Sequence, residues 1–97
     1  MLESEFQAIV IRELKEDILP GCEVLKNDAG YRPGVPDLII LFGERWGMLE
    51  VKQTIFASYR PNQEWYLDHY DKMSFAMMIC PENKEEVYRA IQQAFGN

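Results

Sequence analysis

Residues 34–52 read GVPDLIILFGERWGMLEVK, and the pairing inside that stretch decides the architecture. Asp37 to Phe42 is a nearly continuous apolar run with one acid at its start, opened by Pro36, which is tolerated at the first position of a strand. Apolar residues on both sides of the pleat predict a strand covered on both faces. Gly43-Glu44 fits a two-residue hairpin turn with glycine in its first central position, and Gly47 to Gln53 returns as the next strand. With that turn, paired positions sum to 87, which sets Asp37 directly across from Glu50. Glu50 and Lys52 lie two apart and share a face, and Asp37 joins them because opposed residues in a ladder share a face. A register shift of two residues preserves the grouping.

Outward from the hairpin, the other elements follow from periodicity and punctuation. Residues 3–19 place Phe6, Ile9, Val10, Leu14 and Ile18 on one broad side and stop at Pro20-Gly21, which predicts an amphipathic helix. Cys22 to Leu25 reads as a short strand, followed through Asn27-Asp28-Ala29-Gly30 by a loop to about Val35. On the other side, Pro61 opens a helix over 61–72. Met73 to Cys80 is an apolar strand ended by Pro81, and residues 82–95 form a helix with Val87, Ile91 and Phe95 at four-residue spacing, closed by Gly96. The order α-β-β-β-α-β-α predicts an α/β domain over residues 1–97. Its mixed four-stranded sheet is antiparallel in the meander and parallel at the helical crossover, with helices on both faces.

Ninety-seven residues, 47% of them hydrophobic, suffice for one core and leave its stability modest, so a second subunit would help. There is no apolar run of membrane-spanning length and no leader-like pattern after Met1. Cys22 and Cys80 are far apart in apolar runs and read as buried thiols of a cytoplasmic protein. With one histidine, His69, and no paired cysteines, any metal within a subunit has to be held by oxygen. The net charge is -6, unpromising for nucleic-acid binding, but its distribution is uneven. Residues 26–60 carry Lys26, Arg32, Arg45, Lys52 and Arg60 against four acids, and both flanking segments are strongly acidic.

Two carboxylates opposed in a sheet repel, and Lys52 offers a single compensating charge. A divalent cation is the natural compensation. Mg²⁺ is a hard ion that takes one or two carboxylates plus waters and a substrate phosphate, and Mn²⁺ is accepted by similar oxygen sites. The carbonyl of Val51, between Glu50 and Lys52, offers a further oxygen. Such an ion beside a lysine suits phosphodiester hydrolysis.

Gly34-Val-Pro-Asp37, then Glu50-Val-Lys52, then Pro61-Asn-Gln63 with Leu67 after it resembles the PD-(D/E)XK nuclease superfamily, and most closely its VRR-NUC branch of small virus-type replication-repair nucleases. The resemblance runs from Glu5 to about Cys80, and that branch's αβββαβ core agrees with the order read above. It implies Asp37 and Glu50 as metal ligands, Lys52 as the residue beside the attacking water, and Gln63 as a polar group reaching back to the site. It also implies a first-helix acid. The helical wheel leaves Glu3 and Glu5 open, and the spacing of Glu5-Phe6-Gln7 before Ile9 and Leu14 resembles the family's first helix, which selects Glu5. The chain departs from the family at Asp71-Lys72-Met73-Ser74, where a glycine is common. The implied activity is a Mg²⁺- or Mn²⁺-dependent DNA endonuclease acting on branched or structured DNA as a homodimer. A stand-alone domain this small resembles those carried by phages.

Around that centre, Lys26, Tyr31, Arg32 and Arg60 are candidates for gripping the nucleic-acid strand. Trp46, Tyr59, Trp65 and Tyr66 read as packing residues or a dimer seam, Met73, Met77 and Met78 as strand packing, and His69 as a surface residue. Two other readings compete: a nuclease-fold module that binds without cutting, and an interaction protein whose acidic surface meets a basic partner.

Overall fold

The computed structural model describes residues 1–28 and 30–96; Ala29, inside the expected loop, and Asn97 lie outside the described residues. Helix α1 spans Glu3–Glu13 and continues through a π-helical turn, Leu14–Ile18. Strand β1 is Glu23–Lys26, β2 is Leu38–Phe42 and β3 is Arg45–Val51. They are followed by helix α2 (Gln63–Met73), strand β4 (Ala76–Ile79) and helix α3 (Lys84–Phe95). The four strands form one sheet in the order β1-β2-β3-β4, with β1/β2 and β2/β3 antiparallel and β3/β4 parallel. This is the mixed meander-plus-crossover sheet expected from the sequence. The hairpin pairs Phe42 with Arg45 and Leu38 with Leu49, so the sum of 87 holds along the ladder. Gly43 takes φ +60 at the first central position of the turn, as a type II′ turn requires.

The period of two puts Leu38, Ile40, Leu49, Val51 and Ile79 on one face, each with 0% exposure. Against them lie Phe6 and Val10 of α1, Leu14 of the π turn, and Val87 and Ile91 of α3, in a hydrophobic core. The π turn serves this packing. Its Leu19 N–H bonds the Leu14 carbonyl at 2.9 Å, and that wider turn lets residues five apart, Leu14 and Leu19, both face inward. Glu13 ties α1 to α3, accepting from Lys84 Nζ at 3.0 Å and from the Tyr88 hydroxyl at 2.9 Å. Burial works against the Glu13 charge, but those two hydrogen bonds outweigh it and hold the carboxyl below its usual range.

Helix α2 covers β3 and β4 on the other face, where Leu25 stays 47% exposed and Ile39 and Met48 are half-buried. The expectation that β2 is covered on both faces therefore holds on the core side alone, because α2 does not extend over β1 and β2. Met73 ends α2 and is exposed, so it is helical and not strand packing; the Ser74 hydroxyl bonds the Trp46 carbonyl and Asp71 caps the Ala76 N–H at 3.0 Å. These two polar side chains shape the turn where a glycine was expected. Among the described residues no helix is long and apolar enough to cross a membrane.

Gly47 lies where β3 passes under α3. A Cβ there would meet the Phe95 ring at 2.7 Å and the Phe75 ring at 3.1 Å. Gly47→Val is expected to destabilise the fold by about 2 kcal/mol or more through overpacking, measured as a shift in urea midpoint. An unchanged midpoint would refute this close packing.

Candidate active site

The site forms where the β2/β3 ladder breaks. With a two-residue turn, positions 42/45, 40/47 and 38/49 are the hydrogen-bonded pairs, so the next in line is Pro36 opposite Val51 and the intervening pair is Asp37 opposite Glu50. Proline has no N–H to give to the Val51 carbonyl. The Pro36 carbonyl is taken by Asn27 Nδ2 at 2.6 Å, and the Val51 N–H goes instead to Asp37 Oδ2 at 2.8 Å. One proline thus ends the strand and draws the Asp37 carboxylate over β3. Non-hydrogen-bonded opposite pairs bring side chains closest, which is the position Asp37 and Glu50 occupy.

Glu50 and Lys52 follow on the same face, under the start of α2, with exposures of 3% and 6%. Gln63, the first residue of α2, bridges them. Its Nε2 donates to Glu50 Oε2 at 3.0 Å, and its Oε1 accepts from Lys52 Nζ at 2.8 Å and from the Arg60 N–H at 2.6 Å. Lys52 Nζ also donates to the Ser58 carbonyl at 3.2 Å, lies 3.7 Å from Glu50 Oε2, and sits 5.2 Å from the centre of the Tyr59 ring. The ammonium is therefore held by carbonyl, amide and carboxylate oxygens with little freedom. Gly34 makes this assembly possible. It adopts φ +96, and a Cβ there would come within 3.0 Å of Asn62 Cβ and 3.2 Å of the Pro61 carbonyl. The loop leading to Asp37 can lie against the turn before Gln63 because position 34 has no side chain.

Glu50 is out of balance electrostatically. Burial, then the neighbouring Asp37 charge, raise its pKa to about 8 against the opposing pull of Lys52. Among the described residues, its buried Oε1 has no hydrogen-bond partner. This buried oxygen, beside a second carboxylate and a carbonyl whose ladder partner is a proline, belongs to a hard-oxygen set of the kind that fits a divalent cation. Among the described residues no three His, Cys, Asp or Glu side chains converge on a metal-sized space. The set is two carboxylates and a carbonyl, which suits Mg²⁺ because that ion keeps waters and takes substrate phosphate for the rest.

A solved structure described as a VRR_NUC domain protein superposes on this chain with a TM-score of 0.72 and 20% sequence identity, covering 99% of this chain and 89% of that one. The two chains share one fold. No family model matches the sequence, and comparison with curated proteins gave no match.

On this fold, Asp37, Glu50, Lys52 and Gln63 converge. Glu5 is exposed and caps its own helix, accepting the Leu2 N–H at 2.7 Å. Glu3 is the α1 acid whose charge adds to the upward push on Glu50. Tyr31 and Arg32 line a cleft of about 320 Å³ with Asn27, Met48 and Tyr70, on the sheet face that carries Glu50. Lys26 is exposed at the end of β1, and Arg60 is exposed beside Gln63. Trp65 is 60% exposed and stacks on His69, with ring centres 4.7 Å apart, so it is a surface residue and not a core one. The sequence reading missed Ser58 and the packing of Tyr59 on Lys52. Ser58 acts through its backbone carbonyl, which leaves no mark in a sequence, and nothing in the spacing sets Tyr59 apart from the other aromatics. The usable sign was the short span between Lys52 and Gln63, which forces the loop back over the lysine.

Proposed function

We propose that this protein is a divalent-metal-dependent endonuclease that hydrolyses DNA phosphodiester bonds, with branched or structured DNA as substrate and a homodimer as the working form. The observation that carries the reading is the Asp37–Glu50–Lys52–Gln63 cluster with its unpartnered Glu50 Oε1. Asp37, Glu50 and the Val51 carbonyl would hold Mg²⁺ or Mn²⁺. When bound, such an ion offsets the two carboxylates, polarises the phosphoryl group and lowers the pKa of water.

The chain's own groups do the rest. Lys52 Nζ, fixed by Gln63 and Ser58, presents positive charge at the place where negative charge develops on the phosphoryl oxygens. It also orients the attacking water. Gln63 holds Glu50 and Lys52 at a set separation, so neither side chain reorganises during the reaction. The Val51 N–H engages Asp37 Oδ2, which fixes that carboxylate beside Glu50. Lys26, Tyr31, Arg32 and Arg60 bind the strand on either side, and the VRR-NUC fold supports the assignment of the cluster to nucleic-acid chemistry.

The test is cleavage of labelled four-way junction, flap, single strand and linear duplex in Mg²⁺, Mn²⁺ or EDTA, with Asp37→Ala alongside. Wild type is expected to cut a branched member of the panel, and EDTA and Asp37→Ala each to reduce cutting to background. Binding without cutting in every metal would overturn the catalytic reading in favour of a binding module.

A further inference from the structure

Sixteen acids are spread over the 97 residues, yet residues 51–63 contain none, the longest acid-free run in the chain, and they carry Lys52 and Arg60. The second half of this run, from Ser58 to Gln63, closes over Lys52. Lys52 Nζ bonds the Ser58 carbonyl, so residues 52–58 form a ring whose far side is the turn at Thr54–Ala57. The turn is pinned from below by Glu82, which accepts from Thr54 Oγ1 at 2.9 Å and from the Ile55 N–H at 3.1 Å, both of its oxygens being engaged. The Ala57 N–H bonds the Thr54 carbonyl at 3.1 Å. On this fixed turn Phe56 stands 89% exposed, the most exposed of the large hydrophobic side chains, with Ile55 beside it at 43%. Burying a phenylalanine is favourable, and a free loop would fold it down. Here the backbone is held so that it projects.

We propose that Phe56 is a nucleobase-stacking post at the rim of the active site, and that it selects substrates with an unstacked base next to the scissile bond. The inference rests on the nuclease reading and narrows its substrate. The exposed Arg60, on a loop whose own residues include no acid, fits a phosphate backbone, and the exposed aromatic face of Phe56 fits a base. Inside a continuous duplex both faces of every base are already covered. Phe56 therefore finds a partner where stacking is interrupted, at a single-stranded segment or a branch point.

Two measurements decide it. The first compares cleavage by wild type, Phe56→Ala and Phe56→Trp on a fork with an unpaired segment beside the labelled bond and on its fully paired counterpart. Phe56→Ala is expected to lose about tenfold or more in kcat/KM on the fork and little on the duplex, with Phe56→Trp restoring the fork rate. The second places 2-aminopurine at successive positions around the bond. The strand is held uncut by Asp37→Asn, whose side chain keeps the shape of the aspartate. One position should change in fluorescence, and the change should vanish in Asp37→Asn/Phe56→Ala. Equal losses on fork and duplex, or no loss on either, would overturn the stacking post. So would a Phe56→Ala protein that sediments as a smaller species, since Phe56 would then cover a second copy of the chain. If wild type cuts nothing in any metal, the nuclease reading fails by itself. The 2-aminopurine response then still decides the stacking, and its absence at every position overturns it.

Discussion

Lys52→Ala is expected to slow cleavage by about 10²–10³-fold, on the order of 3–4 kcal/mol of barrier, while DNA binding changes much less. The size follows from how the ammonium is held. It lies 2.8 Å from Gln63 Oε1 and 3.2 Å from the Ser58 carbonyl, at 6% exposure, so in the proposed reaction it would meet the phosphate already oriented and largely out of bulk water. Removing a preorganised charge of that kind costs more than removing a mobile surface lysine. Lys52→Arg should fail to restore the rate, because a planar fork does not fit a slot shaped for a single nitrogen between carbonyl, amide and carboxylate. Gln63→Ala should fall between wild type and Lys52→Ala, since Gln63 acts by positioning its two neighbours. Single-turnover rates at saturating protein, with binding measured separately, distinguish these outcomes. A Lys52→Ala rate within about twofold of wild type would remove Lys52 from the chemistry.

The part of this arrangement that lies within one hairpin was legible in the sequence. A two-residue turn and the alternation of side chains leave little freedom, so the pairing of Leu38 with Leu49, and with it the meeting of Asp37 and Glu50, follows from counting. What depends on contacts between distant segments was not. Helix α2 starts at Gln63, two residues later than Pro61 implied, because Asn62 adopts φ 72 where the turn packs on Gly34. Nothing at Asn62 announces that contact. The expected helix over 3–19 divides into α1 and a π turn because Leu19 is drawn into the core, a decision made by packing and not by helical propensity. The choice between Glu3 and Glu5 was open on the wheel for a related reason. Both lie in the first turn, and the capping bond from the Leu2 N–H engages Glu5 at the end of the helix.

Stability without metal is expected to fall as pH rises from about 5 to 8, and divalent cations to reverse the fall. The sign comes from Glu50. Its pKa is raised from 4.5 to about 8 in the folded chain, by burial first and then by the Asp37 charge. Between those values the folded state keeps a proton that the unfolded state has released. The stabilisation is therefore complete below about 4.5 and is lost as pH climbs toward 8. Each pKa unit corresponds to about 1.4 kcal/mol, so the loss by pH 7–8 is on the order of 3 kcal/mol, a large share of the stability of a domain this size. Glu50→Gln has no proton to lose and should give a melting temperature nearly flat over the same range. Asp37→Asn should flatten it in part, since it removes the second cause of the shift and leaves the first. In the proposed site Mg²⁺ would compete with that proton for Glu50, so its apparent affinity should rise with pH and its binding should release a proton, visible in calorimetry as a heat that depends on the buffer. At pH 5 the cation should stabilise little; at pH 8 it should restore most of what was lost. A melting temperature independent of pH in the metal-free wild type would mean that Glu50 is charged throughout, and that the buried Oε1 is compensated by something other than a proton or a metal ion.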